Sequence, residues 1–275
     1  MPPSMPRYAY ATLVTTDAYV VGAAVLRASL LAAKSPALEN VELYPVALLY
    51  PRDDQATSYA FERFKDVWTK LRVFELTQYD TVTFLDSDML CTQNMDELFT
   101  TIGDAPDSLV ASLACICNPS KQAHYPKHWE PKNCPYWQRE NGHSIDANAP
   151  KYFNSGMFVL HPSIATFNRL VTSFQDEVDL SRFIFPDQCF LNEMFPDFQV
   201  VSYKYNAVKT LRTAHPKTWD IQEVKNLHFI LTKPWNVDPS DPAQIDPFFD
   251  LYEFWWAARD DAAAVASLSS KGSRP

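Results

Sequence analysis

The chain has 275 residues, 47% of them hydrophobic and 21% charged, with a formal net charge of −9, which excludes a disordered chain and argues against a nucleic-acid or anionic-membrane partner. It has only five glycines (Gly22, Gly103, Gly142, Gly156, Gly272), where an average usage of about 7% gives roughly nineteen. No two stand at phosphate-loop spacing, so the P-loop, the dinucleotide fingerprint and the kinase glycine loop are excluded, and any bound nucleotide needs another holder.

Tyr8–Val14 reads as a short strand. Thr15-Thr16-Asp17 can cap a helix over Ala18–Ala33. That helix carries Arg27 and is too short to span a bilayer. No apolar run follows the early Arg7, and a cytoplasmic protein without membrane attachment is expected. Val41–Tyr50 predicts a second strand, with Pro45 marking an edge or irregularity. A helix is expected over Asp53–Trp68, with Tyr59, Phe61, Phe64 and Val67 inward, and another over Lys70–Leu76. Thr81–Leu85 is a β-branched, apolar strand, followed by a short helix near Met95–Phe99 and a strand over Leu109–Cys115. The alternation predicts an α/β fold with a mostly parallel central sheet flanked by helices.

From Asn118 to Pro150 the chain is polar, aromatic and aperiodic. A loop of this length in a compact domain is usually a functional cover, and Trp129, Tyr136 and Trp137 offer an acceptor wall or ordinary packing. Phe153–Leu160 returns to strand, Ser163–Val178 and Gln188–Phe195 to helix, and Phe198–Tyr203 and Leu227–Leu231 to strand. The aromatic helix Phe248–Ala258 reads as core. One domain over 1–266 is expected, with a tail lacking order over 267–275. The five cysteines suit buried free thiols in a reducing compartment. Alternatively Cys115, Cys117 and Cys134, with His124 or His128, could hold zinc, although C-x-C is tighter than the usual spacing.

The sharpest local signal is Asp86-Ser87-Asp88 at the end of the 81–85 strand. In an extended chain, positions i and i+2 face the same side, and ligands bind at the carboxyl ends of such strands. Two hard carboxylates there suit Mg²⁺ or Mn²⁺ with positions left for phosphate oxygens. A solvated turn would carry the same residues. A D-x-D phosphohydrolase also uses such a strand, but Leu90 departs from its motif.

Further segments resemble glycosyltransferase family 8, the glycogenin and galactinol synthase family. They are Tyr10–Leu26, Trp68–Leu71 with Leu76–Tyr79, Tyr152–Val159, Pro186–Asn192, and His228-Phe229 with Lys233-Pro234-Trp235, in family order over roughly residues 8–240. The resemblance implies a single-domain nucleotide-sugar transferase fold of the GT-A type. It implies a Mn²⁺- (or Mg²⁺-) dependent, retaining enzyme moving a hexose from a UDP-sugar to a hydroxyl acceptor: a polyol, a sugar or a protein. By the same resemblance Asp86, Asp88 and His228 would be metal ligands. Lys233 would contact the diphosphate, and Leu13, Thr15, Thr16 and Tyr19 would line the uridine pocket. Lys70 would approach the nucleotide-sugar, with Gly156 leaving room for the donor. Asn154, Ser155, Asp187 and Gln188 would face donor and acceptor, with Asp187, Gln188 and Lys233 as catalytic residues and the nucleophile left open. Two departures stand out. Only eighteen residues separate Pro51 from Lys70, where the family carries a further strand and loop. Ile184 replaces an acidic residue found in glycogenin. The short segment keeps a non-catalytic nucleotide-sugar-binding relative in view.

Overall fold

β-Branched and aromatic runs form the centre of the computed structural model, which describes residues 5–35, 41–57, 66–105, 107–144 and 151–271. The strands are β1 (Tyr8–Ala11), β2 (Thr81–Leu85), β3 (Met89–Cys91), β4 (Leu109–Leu113), β5 (Phe153–Leu160), β6 (Gln199–Val201), β7 (Ala207–Val208) and β8 (Asn226–His228). The α-helices are α1 (Val20–Ala32), α2 (Pro135–Glu140), α3 (Ile164–Asp176), α4 (Pro186–Met194), α5 (Leu211–Ala214) and α6 (Phe249–Lys271). The helices expected over Lys70–Leu76 and near Met95–Phe99 form as the 3-10 helices Val67–Glu75 and Asp96–Thr100.

The main sheet has the order β1-β2-β5-β4-β6, and a small second sheet the order β3-β8-β7. β5 is buried on both faces, as suits a strand covered by helices. Phe153, Phe158 and Leu160 join a cluster with Trp68, Phe74, Phe174 and Phe190 under α3, α4 and the 67–75 helix. Met157 and Val159 point the other way, toward Leu26 and Leu30 of α1. α3 starts where the Ser163 hydroxyl accepts from Thr166 N, an N-cap contact worth about 1 kcal/mol. It buries Phe167, Leu170 and Phe174 along one stripe.

The α/β class holds, but the sheet is mixed. β1 and β2 are parallel, as are β4 and β6, whereas β5 is antiparallel to both β2 and β4. A parallel pair needs a crossover connection. Here β4 reaches β5 through the 114–152 excursion, which comes back at the same end of the sheet.

Val41–Tyr50 is not a strand. Leu43 is 89% exposed, and Val41, Tyr44 and Tyr50 are exposed as well. Leu49 N donates to Thr69 Oγ1 and Arg72 Nε to Ala47 O, so side chains bind this backbone in place of a sheet. The expected 53–68 helix falls partly outside the described residues, including Tyr59, Phe61 and Phe64, and residues 51–57 form turns and one bridge, Ala56 to Asp179. At the far end α6 carries helical backbone to Lys271, past the expected start of the tail at 267, and residues 272–275 lie outside the described residues. Leu251, Tyr252 and Trp255 of α6 are core residues of a second cluster with Val25, Leu227 and Phe229. Trp129 and Tyr136 of the excursion are buried in that cluster too, which removes them as an open acceptor wall.

Candidate active site

Asp86 follows directly on β2, and Asp88 precedes β3. Two backbone bonds fix this turn: Asp86 N donates to Gly156 O at 2.7 Å, and Phe229 N to Asp88 O at 2.9 Å. Pairing of β3 with β8 sets Met89 opposite His228, which puts the imidazole beside Asp88. His228 Nε2 lies 3.3 Å from Asp88 Oδ1 and 3.9 Å from Asp86 Oδ2. Two close approaches depend on missing side chains. A Cβ on Gly156 would stand 2.4 Å from His228 Cε1, and one on Gly22 would stand 2.4 Å from the Ser87 carbonyl oxygen.

A polar chain orients the imidazole. Asn206 Nδ2 donates to Asn154 Oδ1 (2.9 Å), so its Oδ1 faces His228 Nδ1 at 2.8 Å. This assigns the ring proton to Nδ1 and leaves the Nε2 lone pair toward the carboxylates, the usual arrangement behind a metal-ligating histidine. Asn154 Nδ2 in turn donates to Gln188 Oε1 (2.9 Å), which also accepts from Ser155 N (3.2 Å). Two carboxylates and one such imidazole, their ligand atoms within 4.8 Å of one another, fit a divalent cation that keeps open positions for phosphate and water oxygens.

Two buried lysines flank this group. Lys70 Nζ lies 2.6 Å from Asp187 Oδ2, 3.1 Å from Asp86 Oδ1 and 3.2 Å from Ser155 O. Ser155 Oγ donates to the same Asp187 Oδ2 at 2.9 Å. Lys233 Nζ donates to Asp88 Oδ2 and to Phe229 O. The turn that delivers Lys233 contains Leu231 at φ 63°, and Lys209 Nζ holds it by donating to Thr232 O at 2.8 Å. Burial lowers Lys209 to about 8, despite Asp246 nearby.

The two aspartates are tuned apart. Burial opposes ionisation of Asp88, but the Lys233 ammonium overcomes it and holds the carboxyl below the usual carboxylate range. Burial raises Asp86, Lys70 opposes this, and the Asp88 carboxylate adds to the rise. Burial likewise opposes protonation of Lys70, yet Asp187 and Asp86 keep it charged, well above its ordinary value.

The structure therefore brings together Asp86, Asp88, His228, Lys70, Lys233, Asn154, Ser155, Gly156, Asp187 and Gln188. Leu13, Thr15, Thr16 and Tyr19 are not joined to them by a described hydrogen bond. Leu13, Thr15 and Thr16 lie on the turn after β1, where the chain leaves the sheet past the Ala11–Phe84 pair, and Tyr19 ends the 3-10 helix Asp17–Tyr19. Thr16 occupies the N-cap position before Asp17 without the side-chain cap bond expected of it. Tyr19 packs edge-on against Trp235 at 5.5 Å. Asp187 opens α4 one residue after Pro186, within the first turn and not at the N-cap, which is Phe185. Asn206 is a site residue that motif reasoning missed. It belongs to no recognisable local pattern, and only the pairing of β7 with β8 brings it to His228.

A family model described as glycosyl transferase family 8 matches residues 28–238. Galactinol synthase 2 of Solanum lycopersicum is 30% identical over 239 residues, covering 80% of this chain and 63% of that protein. Galactinol synthase 6 of Arabidopsis thaliana is 28% identical over 229 residues, covering 81% and 65%. The chain thus spans under two thirds of the length of these relatives. Among solved structures, the galactosyltransferase LgtC in complex with donor and acceptor sugar analogues superposes with a TM-score of 0.58 at 15% identity, covering 92% of this chain and 95% of that one. The glycosyltransferase GlyE of Streptococcus pneumoniae gives 0.53 at 16% identity, covering 92% and 60%. The fold is of the GT-A type, and the chain belongs to glycosyl transferase family 8. Membership displaces the phosphohydrolase alternative, and Leu90 is buried in β3.

Proposed function

With family 8 membership as the premise, we propose that this chain is a Mn²⁺-dependent, retaining glycosyltransferase that moves a hexose from a UDP-sugar to a hydroxyl acceptor. The observation that carries this reading is the convergence of Asp86, Asp88 and the Nε2 face of His228 beside Lys233, with Asp187 and Gln188 on the adjoining side. A borderline imidazole nitrogen among hard carboxylates favours Mn²⁺ over Ca²⁺. A divalent cation held there would supply Lewis-acid stabilisation of the charge left on the diphosphate as the sugar–phosphate bond breaks. Lys233 reaches the same point from the side of Asp88 and can follow that charge as a compact ammonium. On the donor side, both Lys70 and Ser155 engage Oδ2 of the Asp187 carboxylate. This supports a role for Asp187 in positioning the sugar or the acceptor and opposing positive charge at the anomeric carbon.

Two relatives carry the name galactinol synthase, so we place a polyol first among acceptors. We place the protein in the cytoplasm. The absence of disulfides among its five cysteines supports a reducing compartment, and among the described residues no helix is long and apolar enough to cross a membrane. The test is a thermal-shift panel of UDP, UDP-glucose, UDP-galactose and UDP-N-acetylglucosamine with and without Mn²⁺. A ligand at about 100 times its Kd should stabilise by about 2.7 kcal/mol, and only when the metal is present. Absence of any metal-dependent stabilisation by a uridine nucleotide would overturn the reading.

A further inference from the structure

A second polar group lies within the cluster around α6 and shares no residue with the first. Cys115 and Cys117 follow β4 on either side of Ile116, which is buried in the second core cluster. Cys134 sits immediately before α2, and His215 immediately after α5. Three separate segments therefore deliver four donors, with His215 81 to 100 positions beyond the cysteines. His215 Nε2 lies 3.1 Å from Cys115 Sγ, 3.4 Å from Cys117 Sγ and 3.7 Å from Cys134 Sγ. All four ligand atoms lie within 4.8 Å of one another. His124 and His128, the nearer histidines, are exposed and take no part.

Hydrogen bonding to the imidazole alone does not account for this convergence. His215 Nδ1 stands 3.3 Å from Glu140 Oε2, a carboxylate whose Oε1 accepts from Thr218 N at 2.7 Å. That contact places the ring proton on Nδ1 and leaves Nε2 with one lone pair facing three sulfurs. One lone pair accepts one S–H, so the ring by itself cannot pair all three sulfurs that surround it. A tetrahedral cation with Zn–S near 2.3 Å and Zn–N near 2.0–2.1 Å sets sulfur and nitrogen roughly 3.5 Å apart. The three observed separations straddle that value. The Glu140–His215 contact is the carboxylate–histidine support that zinc histidines carry.

We propose that Cys115, Cys117, Cys134 and His215 bind one structural Zn²⁺. Four protein ligands close a tetrahedral site and leave no position for substrate. The cation clamps the 114–143 excursion onto the segment after α5. The clamp reaches the active site through packing: Trp129 of the excursion lies 5.3 Å from the Tyr152 ring, and the Tyr152 hydroxyl accepts from Gln188 Nε2 at 3.3 Å.

The experiment is elemental analysis of protein purified with reductant and without added metal, together with replacement by Co²⁺. One zinc per chain is expected, and the cobalt protein should show thiolate-to-metal charge-transfer and tetrahedral d–d absorption. His215→Ala and Cys117→Ser should abolish both signals. His215→Cys should keep the metal, and so should Asp86→Asn and Cys91→Ser, which lie outside the cluster. Glu140→Gln should weaken zinc about 10- to 100-fold. The proposal is overturned if wild-type protein carries no zinc and its cobalt form lacks sulfur charge transfer, a measurement that needs no variant to fold. It is equally overturned if His215→Ala and Cys117→Ser retain full zinc, or if a disulfide joins two of these cysteines and the reduced chain takes up no metal.

Discussion

The Asp86–Asp88–His228 group and the Cys115–Cys117–Cys134–His215 group are both buried clusters of ligating side chains, and each histidine is supported through Nδ1. They differ in completeness and in charge. The first has three donors, two of them hard, and is crowded by Lys70, Lys233 and a further carboxylate, Asp187. The second has four donors, three of them soft, and no lysine among its contacts described here. An incomplete, charge-rich cluster can exchange what it holds, whereas a complete, thiol-rich one fastens the chain. On the two proposals, the same element of design, a buried histidine locked by a polar neighbour, would serve turnover in one place and architecture in the other.

Asp86→Asn tests the open side of this contrast most severely. It should lower kcat by about 10²–10³ and remove the Mn²⁺-dependent thermal shift with UDP. Stability should move in the opposite direction. The Asp86 carboxyl is raised above its ordinary value by burial, so the fold favours its protonated form, and the stabilisation present at low pH is lost as pH rises through the folded pKa. At neutral pH the ligand-free variant should melt at or above wild type, and a large loss of melting temperature would show that this cluster is architectural after all.

Asp187→Asn should reduce transfer on the order of 10²-fold while UDP binding by titration calorimetry stays near wild type. Wild-type turnover would remove Asp187 from the chemistry. Asn206→Ala frees the His228 ring and should weaken Mn²⁺ about 10- to 100-fold without touching a ligand, read by metal titration in the presence of UDP. For the closed side, His215→Ala should lower the melting temperature by roughly 8–16 °C, taking zinc at about 1,000 times its Kd and 2–4 °C per kcal/mol. The smallest effect belongs to Cys91→Ser. Burial pushes that thiol up to about 12, it donates to Gln93 O within its own turn, and its replacement should leave the metal content of both clusters unchanged.

Legibility in the sequence followed the range of the interaction. Thr81–Leu85 and Phe153–Leu160 were readable to the residue because β-branched and apolar runs encode a buried strand locally. The aspartates were readable because i and i+2 share a face, and the resemblance added His228, Lys70 and Lys233. Strand direction was not readable, since β5 carries the same apolar signature whether it runs with or against β2. Val41–Tyr50 has the composition of a strand but no partner in register, and composition alone cannot supply one. Familiar zinc spacings point to a histidine near Cys134 for the thiol cluster, whereas folding brings His215 there from 81 positions away. Asn206 escaped for the same reason.

Glycine scarcity also shapes how this protein tolerates change. Gly103 has room around it, with only the Ser108 hydroxyl at 3.9 Å from an added Cβ, whereas Gly142 has space but sits at φ 71°, where a side chain strains the backbone. Gly22 and Gly156 have no space, and the obstructions are a backbone carbonyl beside the aspartate pair and the ring of His228. A saturation library would therefore report the active site through two residues that carry no functional group. Substitutions at these positions would be depleted for want of space, and a directed-evolution campaign seeking a new acceptor should hold both constant while diversifying the walls around them.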